Sequence, residues 1–98
     1  MNKVYDSKSF NELSKKLGVL EKLFIEKCKI QIKHNLRTGK PLRYYWIREK
    51  KLGNKRLIYI INVNLRKALL VFFVNKKDQQ NSIDFIIYNK EYFFNELR

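Results

Sequence analysis

One cysteine, one proline, one histidine and three glycines are all that 98 positions contain of these types, and only nine residues are acidic. Each shortage closes off a class of protein. A lone Cys28 permits neither an internal disulfide nor a cysteine-based zinc site, and removes any need for an oxidising compartment. Set among apolar residues at helical spacing, it reads as a small core residue and not as a nucleophile. His34 has no histidine, cysteine or carboxylate partner at ligand spacing, so neither a metal nor a cofactor is expected. No stretch approaches the ~20 apolar residues of a membrane span. The N-terminus lacks the apolar segment of a secretory signal, so a cytoplasmic protein without membrane contact is expected.

What is abundant is positive charge, beside enough apolar surface to bury. The chain is 45% hydrophobic and 14% aromatic, which argues against disorder, and its length fits one domain, residues 1–98. Lysine and arginine number 22 and the net charge is +13. The placement matters more than the total. Residues 33–77 carry 13 basic side chains against the single acid Glu49, and the part from Asp78 onward is acid-balanced. A solvated lysine-rich face is the plain explanation. Clustering of the cations, interleaved with Tyr44, Tyr45 and Trp46, favours a polyanion-binding surface made for nucleic acid or the ribosome.

Periodicity orders the elements. Val4 and Tyr5 suggest a short strand. Ser9 with Glu12 forms a capping-box pattern, and Phe10, Leu13 and Leu17 recur at helical spacing, so a first helix is expected over about residues 8–17, stopped by Gly18. Leu20, Phe24, Cys28, Ile32 and Leu36 recur at i+4 and predict a second helix ending near Thr38–Gly39, before Pro41. Residues 42–51 read as one strand, residues 52–54 as a turn, and residues 56–63 and 68–74 as two apolar strands joined at Asn64-Leu65-Arg66. From Gln79 the helical period returns, through Ile83, Ile86, Ile87, Phe93, Phe94 and Leu97. The expected fold is a small α+β domain in the order β-α-α-β-β-β-α, with an N-terminal strand and helical hairpin packed on an antiparallel sheet.

Alternation along residues 42–51 places Leu42, Tyr44, Trp46, Arg48 and Lys50 on one side, and Arg43, Tyr45, Ile47, Glu49 and Lys51 on the other. If the next strand matches faces, Arg48, Lys50 and Arg56 converge on one ligand. Two cation clusters, Arg48 to Arg56 and Lys76-Lys77, stand at the mouths of adjacent apolar segments and meet if those segments pair. Lys40, Arg43, Lys51, Lys55 and Lys76 are the candidate RNA contacts. Tyr92, Phe93 and Phe94 cannot all face one core, since successive helical positions diverge by about 100°. Ile87, Phe93, Phe94 and Leu97 are therefore candidate partner contacts, for another protein or for a second copy in a homodimer.

The element order, the run Arg48-Glu49-Lys50-Lys51-Leu52-Gly53-Asn54-Lys55-Arg56 leading into an apolar strand, and the motif Lys76-Lys77-Asp78-Gln79-Gln80 resemble the RelE/ParE toxin superfamily of type II toxin–antitoxin systems. The similarity is greatest to its archaeal RelE-like branch. The resemblance implies a cognate antitoxin and a metal-independent endoribonuclease that enters the ribosomal A site and cleaves mRNA by 2′-hydroxyl attack. It implies Arg56 on the scissile phosphate, Arg48, Lys50 and Lys51 in proton transfer and charge neutralisation, and Lys77 in the place of a second arginine. The tyrosine that many members carry about six residues after that arginine falls on Ile83. Two other readings stay open: a basic RNA- or ribosome-binding protein without catalysis, and a ParE-like gyrase inhibitor.

Overall fold

The computed structural model describes residues 1–98. Five strands form one sheet, β1 (Lys3–Asp6), β2 (Lys40–Leu42), β3 (Tyr44–Leu52), β4 (Lys55–Asn62) and β5 (Lys67–Asn75), in the spatial order β1-β5-β4-β3-β2. The helices are α1 (Lys8–Ser14), α2 (Val19–His34), α3 (Gln79–Tyr88) and α4 (Lys90–Glu96), and a single 3₁₀ turn at Lys76–Asp78 links β5 to α3. The sheet is mixed, not purely antiparallel. β1 runs parallel to β5, because the α1–α2 hairpin carries the chain across the sheet before β2 begins.

The central strands β4 and β5 are buried on both faces, and this is why their sequences show no alternation. One face packs under α2, where Phe24 meets Phe73 with ring centroids 6.3 Å apart. The other packs under α3, where Phe85 stands edge-on to Phe72 at 5.9 Å. A cluster of 22 buried apolar residues, Phe10, Ile32, Ile58, Ile86 and Leu97 among them, runs through the molecule.

Four expected elements are corrected. The strand expected over residues 42–51 breaks at Arg43, which adopts a left-handed φ of 67°, and β2 folds back to pair with β3. The cap of α1 is Ser7, whose Oγ accepts from the Phe10 N–H at 3.1 Å, while Glu12 pairs with Lys15 instead of closing a box with Ser9. The C-terminal helix divides at Asn89, and α2 already ends at His34. On α2 the buried residues are Ile25, Cys28 and Ile32, which leaves Leu20 and Leu23 exposed. No helix is long and apolar enough to cross a membrane.

Candidate nucleic-acid interface

The basic runs do meet. Gly53 and Asn54 form a two-residue turn between β3 and β4, with Gly53 at φ 57°, a conformation that glycine adopts without a Cβ clash. The neighbouring strand ends beside this turn: Asn75 lies opposite Lys55, and the Lys76 N–H donates to the Asn54 carbonyl at 2.7 Å. Lys51, Lys55, Lys76 and Lys77 thus share one end of the sheet. Asn54, Asn75, Lys76 and Lys77, with no apolar residue among them, line an open recess of about 560 Å³ there. Lys51, Lys76 and Lys77 are exposed, and Lys55 is half-buried with its Nζ 5.9 Å over the Phe73 ring. Solvated ammonium groups around an apolar-free recess suit phosphate oxygens.

Arg48, Lys50 and Arg56 do not converge. The two-residue turn pairs Leu52 with Lys55, so Lys51 opposes Arg56 and Lys50 opposes Leu57. Directly opposed residues of an antiparallel pair share a face. Arg56 therefore lies with Lys51 and Glu49, and Arg48 and Lys50 lie on the α2 side. There Arg48 is buried, donating Nε to the Gly39 carbonyl at 2.8 Å, Nη1 to Tyr45 at 2.8 Å and Nη2 to Arg37 at 3.1 Å. Lys50 donates to Gln31 and, at 3.3 Å, to Thr38. Arg48 holds the chain after α2 against the sheet, because the carbonyls of that segment have no strand partner of their own, and Lys50 ties the side chains of Gln31 and Thr38 to the same face.

Arg56 is also inward, 6% exposed. Its Nη1 donates to the Gly53 carbonyl at 2.8 Å and to the Lys55 carbonyl at 3.0 Å, which braces the turn. Its Nε lies 3.6 Å from a Glu49 carboxylate oxygen, and Gln79, the first residue of α3, donates to the same oxygen. Glu49 is 3% exposed. The one acid of the basic segment is thus the internal counter-ion of the arginine nearest the recess.

Tyr59 and Cys28 lie behind Arg48 and Lys50. The Tyr59 hydroxyl donates to the Leu36 carbonyl and accepts the Gly39 N–H, both at 2.9 Å. Burial pushes the Tyr59 hydroxyl above its ordinary range, although the Gly39 bond and Arg48 pull it down. Burial likewise pushes the Cys28 thiol up to about 11, against the opposing field of Lys50. Neither group supplies a proton near neutral pH.

The remaining candidates are dispersed. Ile83 is core, and an isoleucine at the position where the resemblance would put a tyrosine carries no exchangeable proton. Lys40 and Arg43 sit on and just beyond the edge strand β2, both exposed, with Arg43 reaching Asp84 at 3.4 Å. Of the candidate partner contacts, Phe93 and Leu97 are core at 2% and 1% exposure, because the break at Asn89 rotates α4 inward. Ile87 and Phe94 are half-buried, Phe94 edge-on to Trp46 at 5.3 Å. The apolar groups that α3 and the segment after it do expose are Phe85, Tyr88 and Tyr92. Sequence reasoning missed Phe85 as a surface residue, since it falls within the helical apolar arc, and it missed the pairing of Glu49 with Arg56.

The fold is similar to that of a solved toxin. Over 83% of this chain and 93% of the other, it matches a mutant of the E. coli toxin RelE in complex with an antitoxin RelBc peptide, with a TM-score of 0.67 and 12% sequence identity. The fold is RelE-like. No family model and no curated protein matches the sequence. At this identity the shared feature is the architecture.

Proposed function

We propose that this chain is the toxin of a type II toxin–antitoxin pair and that it acts on RNA at the sheet end formed by Lys51, Lys55, Lys76 and Lys77. The observation that carries the reading is the meeting of the two basic runs around the Gly53–Asn54 turn of a RelE-like sheet. Its substrate is single-stranded mRNA in the ribosomal A site, and its counterpart is a small acidic antitoxin that neutralises this surface. The protein it resembles in fold is itself bound to an antitoxin peptide.

Cleavage, in this reading, belongs to the Arg56 face. Glu49 takes the proton from the 2′-hydroxyl as Arg56 is drawn from the carboxylate onto the phosphate. The 2′-oxygen bonds to phosphorus, the P–O5′ bond breaks, and the departing 5′-oxygen takes a proton from Lys51, directly opposite Arg56 in register. The products are a 2′,3′-cyclic phosphate and a 5′-hydroxyl end.

A second reading, occupation of RNA or the ribosome without cleavage, is favoured by one set of observations. Arg48, Lys50 and Arg56 are all bonded inward, and Ile83 is core. Primer extension on translated mRNA after induced expression separates the two. Discrete new 5′ ends that vanish in Glu49→Gln support cleavage. Arrest of translation without new ends supports the blocking reading, and absence of both growth arrest and RNA binding overturns the proposal.

A further inference from the structure

One residue past the basic recess the chain enters the wall of a second, aromatic groove. Asn75, Lys76 and Lys77 line or border the recess, and the next residue, Asp78, lines an open groove of about 590 Å³ between α3, α4, β5 and the start of α1. Its walls and floor are Phe72, Phe85, Tyr92 and Phe93. Phe85 and Tyr92 are 52% and 55% exposed, whereas Phe93 is buried beneath them. The rings meet at steep angles only: Phe85 on Phe72 at 74°, Phe85 on Phe93 at 60°, Tyr92 on Phe93 at 79°. The two exposed rings therefore have no face-to-face partner within the protein.

The geometry points to this groove as a pocket for an unpaired RNA base whose phosphates rest on Lys76 and Lys77. The inference rests on the RNA-binding reading above and specifies how the strand leaves the basic recess. Two features favour a base over a purely apolar guest. Bases stack on aromatic faces irrespective of sequence, and unstacked Phe85 and Tyr92 faces beside a lysine pair reproduce the pairing of stacking platform and backbone cation that single strands use. The rim is also polar: Asp78 and Asn81 are exposed, and Asn89 spends its Nδ2 on the Phe85 carbonyl, which leaves its own oxygen to accept. These groups match the N–H donors and ring acceptors of a base edge.

The test compares fluorescence anisotropy of a labelled single-stranded RNA with that of the same RNA carrying abasic sites. Stacking of one base is worth ~1–3 kcal/mol, so the intact strand binds about 5- to 160-fold more tightly. Phe85→Ala and Tyr92→Ala, both at half-exposed positions, abolish that difference and leave the abasic affinity unchanged. A Lys76→Ala, Lys77→Ala pair weakens both strands equally. Equal binding of intact and abasic RNA by the unaltered protein overturns the base pocket and leaves the basic recess standing. Failure of either RNA to bind overturns the RNA reading itself. If Phe85→Ala weakens an acidic amphipathic peptide and not RNA, the groove is a protein-docking site and the inference is wrong.

Discussion

Two arginines that sequence alone offers to a ligand are bonded inward within the fold, so their substitution is expected to cost stability whatever it does to activity. Arg56→Ala leaves the Glu49 carboxylate buried beside Gln79 with no counter-ion, and losing one partner of a buried pair costs about 3–5 kcal/mol. Urea denaturation is expected to show a loss of that size, and a Glu49→Gln, Arg56→Ala double variant is expected to recover much of it. A recovery below the experimental error shows that the pair is not the reason. Growth-inhibition tests of Arg56 therefore need the urea midpoint of the same variant beside them, and the double variant reports on stability alone, since it also removes the Glu49 carboxylate. Gly39 is a second sensitive point. A Cβ there would sit 2.7 Å from the Glu49 carbonyl and 2.8 Å from the Tyr59 hydroxyl, so Gly39→Ala must displace backbone or break the Tyr59 bond. A loss of about 2 kcal/mol or more is expected. The buried acids set the alkaline limit. Cys28 and Tyr59 are neutral in the fold and their pKa values are raised, so stability is fully present below pH 9.0, the thiol's ordinary value, and is lost as pH rises toward about 11. The urea midpoint should be level through neutral pH and fall above that point, and Cys28→Ala should shift the onset upward toward the tyrosine range.

Single elements separate packing from pattern. Helix α2 has an apolar residue at nearly every position the i+4 rule names, yet only Ile25, Cys28 and Ile32 are buried, with Phe24 half-buried against Phe73. Val19, Leu20, Leu23 and Ile30 are all more than half exposed. Ile32→Ala is expected to cost 2–5 kcal/mol through the cavity it leaves. Leu23→Ala should stay within about 0.5 kcal/mol, the usual range for surface changes. Thermal melts of the two variants check this, and equal losses would mean that Leu23 is packed. The β3–β4 hairpin makes the related point about register. Its Gly53–Asn54 turn fixes which residues share a face, and a one-residue insertion there would place Arg56 beside Lys50 and put the β4 apolar set on the wrong side.

At the scale of the whole molecule the charge is organised and not merely large. The lysines at the β3–β4 turn and after β5 share one end of the sheet, so RNA affinity should fall steeply with salt as phosphate contacts release counterions. Substituting Lys51, Lys55, Lys76 and Lys77 together by alanine should flatten the log–log salt slope by roughly 0.7 for each contact to a single strand. The same substitution at Lys3, Lys16, Lys22 and Lys33, which lie on β1, α2 and the connection between α1 and α2, should leave the slope unchanged. Equal effects from both sets would reduce the sheet end to one part of a uniformly basic surface.

Local chemistry determined much of this protein. Helical spacing located α1 and α2, the doubly apolar runs located β4 and β5, and Lys76-Lys77 after an apolar run marked a basic end, because each signal lies within a few residues and needs no knowledge of distant partners. Ile83 was legible as a residue without a proton to give. The tertiary structure alone decided the rest. Which face Arg56 takes depends on strand register, which the turn residues set and the alternation of one strand cannot reveal. Whether Phe93 or Phe85 reaches solvent depends on the break at Asn89 and on the angle at which α4 meets the sheet. That Arg48 serves the chain after α2 depends on the carbonyls of Arg37 and Gly39, whose need for donors appears only once the surrounding backbone is folded.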